Sequence, residues 1–216
     1  VFDPASDMAG VYTYTVAGVA PCTSSSASVN VEIAEPANAG LDASATLCST
    51  GAVVDLLAVL GGTPDAGGTW SDPDGNATTA SFDPATGQPG TYTYAVAGIV
   101  PCPDDQASVM ITVVEAVNAG TDGDTTVCDE AAPFALFGLL GGPPDGGGSW
   151  TAPGGSACSG TFDPSAHAPG TYTYTVSAPA PCPPDQSAVN IEVIAVPHPD
   201  LTMEAASGCL PVLAVF

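Results

Sequence analysis

The sequence predicts an all-β protein made of tandem antiparallel β-sandwich modules with a period of 80 residues. The first observation is the repeat, because Phe-Asp-Pro begins at Phe2, Phe82 and Phe162 without insertion or deletion. The second is the strict alternation of residues 91–96, the period-two pattern of a strand with one buried face. The third is turn chemistry, since 25 Gly and 22 Pro cluster between apolar runs. Such a period indicates one folded module copied in tandem.

In the copy at residues 37–116, the predicted elements follow in a regular order. A turn at Asn38 precedes a short strand that ends at Cys48. The apolar run 53–60 is predicted to be a buried strand, because its length and the Gly-Gly after it suit a strand better than a helix. No amphipathic helix of useful length is expected. Further strands, separated by turn residues, are expected at 69–71, 81–84, 91–96 and 107–114.

The repeat divides the sequence into four parts. Residues 37–116 and 117–197 are predicted to be complete modules, residues 1–36 the C-terminal half of one, and residues 198–216 the N-terminal part of another. A half-sandwich exposes an apolar face and unpaired strand edges, so both partial modules are expected to be completed. Either the C-terminal part of one subunit completes the N-terminal half of the next, giving a head-to-tail filament, or the sequence is a window on a longer repeat chain.

A family resemblance is carried by motifs that occur in both complete copies and together cover nearly the whole chain. They are Cys48, Gly68-Thr69-Trp70, Phe82-Asp83-Pro84, Gly90-Thr91-Tyr92-Thr93-Tyr94 and Pro101-Cys102, with Cys128, Gly148-Ser149-Trp150, Phe162-Asp163-Pro164, Gly170-Thr171-Tyr172-Thr173-Tyr174 and Pro181-Cys182. They resemble the immunoglobulin-like or PKD-like repeats of large secreted surface proteins of the Bacteroidota, including adhesins associated with gliding motility and type IX secretion. The resemblance implies immunoglobulin-like modules and carries no catalytic residue.

The charge balance excludes several partners. The chain has no Lys or Arg against 23 Asp and Glu, for a formal charge of −23. Nucleic acid and anionic membrane surfaces are excluded, because both are bound through cationic side chains. No apolar run reaches the length of a transmembrane helix, so no membrane insertion is expected. The acidic charge must be spread over a long surface, screened by salt or neutralised by bound cations.

The seven cysteines predict disulfides and therefore an oxidising, extracellular or cell-surface location. Zinc is the competing interpretation, but there is no CxxC pair, and His167 and His198 do not repeat. The favoured pairing is within each copy, and pairing between adjacent copies stays open. The favoured pairs are Cys48 with Cys102 and Cys128 with Cys182, each 54 residues apart.

Three cysteines have no partner at that spacing. Under strand complementation, Cys209 of one subunit is predicted to bond to Cys22 of the next. Cys158 occurs in one copy only. The sequence leaves three roles open for Cys158, namely a free thiol, a lateral crosslink or a small buried residue.

The remaining candidate sites are indicated by short sequence patterns. Oxygen ligands in the spacing of a calcium loop occur at Asp72, Asp74, Asn76 and Asp83, although an Asx turn explains the same residues better. Calcium is therefore the one cofactor that the sequence pattern indicates. Glycosylation is indicated by pattern at Asn76 and Thr125.

No nucleophilic triad stands out, so the chain is predicted not to be an enzyme. The predicted role is a disulfide-stapled extracellular stalk or self-assembled filament. The alternative is an adhesin segment that binds glycans or a surface, through Trp70, Trp150 or the tyrosine pairs if these are not core residues.

Overall fold

The computed structural model describes residues 1–197 and 199. Except for Pro199, the partial module predicted at 198–216 lies outside these residues, as do Cys209 and His198. Two compact units are distinguished. The first consists of residues 1–116 together with Pro179–Pro183, and the second of residues 117–178 and those from Pro184 onward.

In the first unit, the second copy of the repeat forms a five-stranded sheet and a small two-stranded sheet. The large sheet has the order β3-β9-β8-β5-β6 and the small one pairs β4 with β7. All pairs are antiparallel except β3 with β9, which is parallel. The elements are β3 Ala43–Cys48, β4 Val54–Asp55, α1 Leu56–Val59, β5 Thr69–Ser71, β6 Ala77–Thr78, β7 Ser81–Phe82, β8 Gly90–Val96 and β9 Asp105–Val114.

The second unit repeats this topology. Its large sheet has the order β10-β16-β15-β12-β13, its small sheet pairs β11 with β14, and β10 is parallel to β16. A 3₁₀ turn at Leu136–Leu139 stands where the second copy has α1. The strands are β10 Gly123–Cys128, β11 Phe134–Ala135, β12 Ser149–Thr151, β13 Ala157–Cys158, β14 Thr161–Phe162, β15 Gly170–Val176 and β16 Asp185–Ile194.

Residues 1–36, termed the half-module, contain a single hairpin of β1 Gly10–Val16 and β2 Ser25–Val31. Its register is that of the complete copies, because Tyr12 lies opposite Val29 as Tyr92 lies opposite Val109. The hairpin is a separate two-stranded sheet. The last two strands of a module therefore pair in the same way with or without the first half.

The predicted alternation of β8 is confirmed. Tyr92, Tyr94 and Val96 are buried, while Thr91 is exposed. Trp70 of β5 packs against Tyr94 with ring centroids 5.0 Å apart. Trp150 and Tyr174 repeat this contact at 5.0 Å. These aromatic side chains thus form the module cores.

The tyrosines at the start of β1, β8 and β15 each close the same backbone loop. The hydroxyl of Tyr92 donates to the Gln88 carbonyl oxygen at 2.9 Å. Tyr12 and Tyr172 donate in the same way to Met8 and Ala168. A tyrosine bonded to the backbone a few residues upstream is the tyrosine corner of immunoglobulin-like sandwiches. Together with the sheet topology, it identifies the modules as immunoglobulin-like β-sandwiches.

The prediction of one strand over residues 53–60 is wrong. Only Val54–Asp55 is a strand, and the helical turn Leu56–Val59 follows it. Asp55 Oδ1 caps that turn by accepting from the Leu57 backbone N–H at 3.0 Å. Leu56 and Leu60 are both buried, a four-residue spacing that one face of a helical turn brings together.

In the absence of Lys and Arg, many carboxylates bond to backbone N–H groups. Asp65 Oδ2 accepts from the Asn38 N–H at 2.9 Å, and Asp105 Oδ2 accepts from the Ala39 N–H at 2.8 Å. The third copy repeats both bonds with Asp145 at 2.8 Å and Asp185 at 2.7 Å. The acidic residues at these repeat positions therefore tie the start of each module to its loops and to its last strand.

Candidate assembly site: the disulfide and the free cysteines

A disulfide joins Cys48 and Cys182, with a Cα–Cα distance of 5.0 Å and a sequence separation of 134. Cys48 belongs to the second copy of the repeat and Cys182 to the third. Both lie in the first compact unit, which includes the loop Pro179–Pro183. The bond therefore staples a loop of one sequence copy to a strand of the preceding copy.

The sheet register explains the position of Cys48. It ends β3, where it lies opposite Val114 of the parallel strand β9. The ladder continues one step further, because the Ser49 N–H donates to the Val114 carbonyl oxygen at 2.9 Å. Cys182 Sγ lies 3.3 Å from that same oxygen. The paired ends of β3 and β9 thus form the surface on which the loop of Cys182 rests.

The favoured pairing within each copy is wrong. Cys48 ends β3 beside the end of β9, whereas Cys102 precedes the beginning of β9. That strand has ten residues, which at about 3.3 Å per residue places its ends roughly 30 Å apart. A disulfide requires Cα atoms within about 7 Å. Cys48 with Cys102, and by the same topology Cys128 with Cys182, therefore cannot bond inside one module.

Cys22, Cys102, Cys128 and Cys158 are free thiols. Cys22, Cys102 and Cys182, termed the loop cysteines, share one turn, because each N–H donates to a carbonyl three residues upstream at 2.8 to 3.0 Å. Cys48 and Cys128 are termed the strand cysteines. Cys128 ends β10 opposite Ile194 of β16, as Cys48 lies opposite Val114, and its side chain is exposed.

Cys102 occupies the same kind of place as Cys182. Its thiol donates to the Ala34 carbonyl oxygen at 3.5 Å, and Ala34 is the repeat equivalent of Val114. The described half-module has no strand beside this position that would carry a strand cysteine. The loop cysteine therefore docks in the same way whether or not a bonding partner is present.

Cys158 lies apart from this arrangement. It is half-buried in β13, opposite Trp150 of β12, and packs against the core of the second unit. The second copy has Thr78 at this place. Of the three interpretations of Cys158, the free thiol and the small packing residue both agree with the structure.

The half-module presents an apolar face that the complete copies bury. Tyr12 and Tyr14 are 43% and 74% exposed, whereas Tyr92 and Tyr94 are 6% and 2% exposed. Beside Tyr12, a depression of about 340 Å³ is lined by Phe2, Val29 and Val31, among others. In a complete copy, the strand that carries Trp70 and the turn that carries Leu56 cover the equivalent face.

The candidate calcium residues lie in two separate turns. Asp72 Oδ1 accepts from the backbone N–H groups of Asp74 at 3.0 Å and Asn76 at 2.8 Å, which is an Asx turn. The bond from the Asn76 backbone N–H is the main cause that lowers the pKa of Asp72 below its ordinary value. Asp83 closes its own turn by accepting from the Ala85 N–H at 2.9 Å. Calcium at this place stays a prediction.

The other weak candidates have ordinary structural surroundings. Asn76 is exposed and Thr125 lies half-buried in β10, and glycosylation of either stays a prediction. His167 Nδ1 accepts from the Asp163 N–H at 2.9 Å, so this histidine closes a turn. Among residues 1–197 and 199, no three His, Cys, Asp or Glu side chains are grouped closely enough to hold a metal ion.

In the described part of the chain, no helix has the length and apolar character needed to cross a membrane. No protein-family model matches the sequence, and neither does any curated protein.

Solved structures with tandem immunoglobulin-like domains are similar to the chain. An I-band fragment of titin matches at 15% identity and a TM-score of 0.46, covering 87% of this chain and 75% of the fragment. The insect immune protein hemolin matches at 13% and 0.41, covering 85% of this chain and 56% of hemolin. Extracellular domains 3–5 of Drosophila OTK match at 14% and 0.37, covering 86% and 71%. One fold of this kind serves many unrelated roles, so these similarities do not assign one here.

Proposed function

We propose that this chain is part of an extracellular, non-enzymatic structural protein in which immunoglobulin-like modules are joined in series into a stalk or filament. The observation that carries the proposal is the disulfide between Cys48 and Cys182. A bond from a strand of one sequence copy to a loop of the next reinforces a linear array. Disulfides of this kind persist in oxidising compartments, which supports an extracellular or cell-surface location.

The disulfide gives the array a defined response to tension. It closes a loop with a separation of 134 residues, and the loop-closure estimate for that length is about 5 kcal/mol of stabilisation. A force applied to the two ends of the chain passes through the cystine. The residues between Cys48 and Cys182 are therefore held against extension until the bond is reduced.

The carboxylate chemistry supports the same role. The net charge of −23 opposes lateral association of neighbouring fibres. Asp65 and Asp105 stabilise the modules through backbone N–H groups, so the folded state does not depend on Lys or Arg. Without these residues the chain also offers no cleavage site to trypsin-like proteases.

We further propose module boundaries, a source and a partner for this protein. The module boundaries are residues 37–116 and 117–197, with residues 1–36 and 198–216 as parts of further modules. The protein is placed among the surface proteins of the Bacteroidota on the motifs quoted above. Its principal partner is another repeat, either in a longer chain or in a second copy that completes the half-module.

Single-molecule pulling tests the structural role. Under oxidising conditions, the extension of the unfolded chain is expected to lack the length enclosed by the 134-residue separation. Reduction should add roughly 440–480 Å, at about 3.3–3.6 Å per residue. Electron micrographs of the same sample should show thin linear particles. Compact globular oligomers, or equal extensions with and without reductant, would contradict the proposal.

A second candidate function is an adhesin that binds glycans. The exposure of Tyr12 and Tyr14 favours it, because aromatic side chains with one exposed face provide amphipathic contact surfaces. Binding on a glycan array that is lost in Tyr14→Ala and kept in Tyr94→Phe, with no linear particles in micrographs, would select this function over the first.

A further inference from the structure

The bonded pair of cysteines defines a rule for the unbonded ones. A strand cysteine at the end of one module bonds to the loop cysteine of the next copy, as Cys48 does to Cys182. The two are brought together by Val114, which lies opposite Cys48 in the sheet and contacts Cys182 Sγ through its carbonyl oxygen at 3.3 Å. Strand cysteine, carbonyl and loop cysteine form one local unit.

The end of the third copy carries an incomplete version of this unit. Cys128 lies opposite Ile194 in the parallel pair of β10 and β16, and Ile194 is the repeat equivalent of Val114. The Asp129 N–H donates to the Ile194 carbonyl oxygen at 3.1 Å, as the Ser49 N–H donates to that of Val114. The strand cysteine and the carbonyl are in place, and Cys128 is an exposed free thiol.

Among the described residues no loop cysteine is bonded to Cys128, and the half-module carries an unbonded one. Cys22 is exposed and free, and its turn is closed by the same backbone bond as that of Cys182, from Cys22 N–H to the Val19 carbonyl oxygen at 2.9 Å. Cys22 belongs to the module that follows a third copy in the repeat order. The loop of Cys22 thus has the same backbone turn as the loop that seats Cys182 on the end of β3 and β9.

We propose that Cys128 of one copy of this chain bonds to Cys22 of a second copy, so that copies join head to tail. This inference rests on the proposed filament and names its covalent contact. The contact is heterologous and does not close, so each added copy presents the same free pair again. Under the same rule, Cys209, which lies outside the described residues, pairs with Cys102 of the second copy.

The rule also replaces the predicted bond between Cys209 and Cys22. In the repeat, those two cysteines belong to the same module, as Cys48 and Cys102 do. The ten-residue length of β9 separates such a pair by roughly 30 Å. If a completed module has the topology of residues 37–116, the rule favours Cys128 over Cys209 as the partner of Cys22.

Bond formation requires an oxidant, and a small-molecule disulfide such as oxidised glutathione supplies it. The Cys128 thiolate attacks one sulfur of oxidised glutathione and releases one glutathione thiolate. The thiolate of Cys22 in the second copy then attacks the mixed disulfide and releases the other. Two cysteine thiols and one oxidised glutathione thus give one cystine and two reduced glutathione molecules.

The test uses the 216-residue chain with Cys102, Cys158 and Cys209 replaced by Ser, which leaves the Cys48–Cys182 bond and the proposed pair. After incubation with oxidised glutathione, non-reducing electrophoresis is expected to show a ladder of covalent multimers. Cys22→Ser or Cys128→Ser alone should abolish the ladder. A mixture of these two variants should give one covalent dimer and nothing larger. Peptic mass mapping should identify the peptide pair of Cys22 and Cys128.

Other results would overturn the contact. These are monomers only, a ladder that survives either single substitution, or mapping that shows Cys22 bonded to Cys22 or Cys128 to Cys128. Because Cys22 and Cys128 are exposed, their replacement by Ser should not impair folding, and circular dichroism of the variants checks this. Electron microscopy separates the two proposals. If linear particles form but the Cys22–Cys128 peptide is absent, the filament proposal is supported and the proposed contact is wrong. If the peptide is present but no linear particles form, the filament proposal is wrong.

Discussion

The hairpin of β1 and β2 and the equivalent strands β8 and β9 have the same register and the same tyrosine corner, but opposite burial. Tyr14 is exposed where Tyr94 is fully buried. The difference lies in the first half of the module, which supplies Leu56 and Trp70 to the core. Local pairing is thus encoded in the last two strands, whereas the core requires both halves.

The loop cysteines show the same contrast. Cys182 rests on the end of a complete module and is bonded to Cys48, whereas Cys102 rests on the half-module and is free. The loop of Cys102 docks on Ala34, in the segment that follows β2, although the half-module lacks the first half of a module. The covalent link needs the first half as well, because the strand cysteine belongs to it.

The largest expected effect comes from removing the disulfide. Cys48→Ser should lower the free energy of unfolding by up to about 5 kcal/mol, because the unfolded chain is no longer closed into a loop. Calorimetry without reductant measures the change. Cys102→Ser is the matched control and should alter stability little, since its thiol makes a single long contact with Ala34. Equal losses in the two variants would mean that Cys102 is a structural disulfide partner.

The next effect concerns the paired tyrosines. Tyr94→Ala removes a fully buried ring in contact with Trp70 and is expected to cost about 3–5 kcal/mol, the range for large aromatic truncations. Tyr14→Ala should change stability by no more than about 0.5 kcal/mol. Hydrogen exchange of peptic peptides from β8 and β1 measures both. A large loss of protection in Tyr14→Ala would show that the half-module is already covered in solution.

The tyrosine corner should have a smaller effect. Tyr92→Phe removes the bond to the Gln88 carbonyl oxygen, which is worth about 0.5–1.5 kcal/mol. Tyr12→Phe removes the equivalent bond to Met8 and should leave the stability of residues 37–116 unchanged. Urea unfolding followed by tryptophan fluorescence tests both, because Trp70 reports on the module affected by Tyr92. A loss in Tyr12→Phe as large as that in Tyr92→Phe would show that the tyrosine corner of the half-module stabilises residues 37–116.

The smallest expected effect is that of low pH on the turn closed by Asp72. The folded state lowers the pKa of Asp72. The ionised Asp72 carboxylate therefore contributes to stability above the ordinary carboxyl pKa of about 3.9. That contribution is lost as pH falls through the lowered pKa. The third copy has Ala152 at this place, and its turn keeps the Ala152 N–H bond to the Ser156 carbonyl oxygen at 2.8 Å. Between pH 6 and 2, the amide shift of Asn76 should titrate and that of Ser156 should not. If both amide shifts titrate, or if neither does, the pH dependence is not caused by Asp72.

Much of the fold could be predicted from the sequence. The period of 80 residues predicted that one β fold repeats along the chain, and the alternation of residues 91–96 identified the buried face of β8. The strand predicted over the apolar run 53–60 was wrong, because a buried strand and a short helical turn are both apolar over that length. The four-residue spacing of Leu56 and Leu60, with Asp55 as a cap, was the signal for the turn.

The disulfide could not be predicted, because two pairings fit the same repeat. Only the parallel pairing of β3 with β9 decides between them, and it places Cys48 at the far end of the sheet from Cys102. Parallel pairing of strands distant in sequence leaves no local pattern. The repeat pointed to Cys48 and Cys182 as disulfide cysteines, while the connectivity of the two depended on topology.

The most direct test is to map the disulfides of the protein purified without reductant. Alkylation of free thiols and digestion with pepsin at low pH suit a chain without Lys or Arg, and acid suppresses thiol–disulfide exchange by removing thiolates. The expected result is a linked peptide pair that contains Cys48 and Cys182. A linked pair of Cys48 with Cys102, or of Cys128 with Cys182, would contradict it.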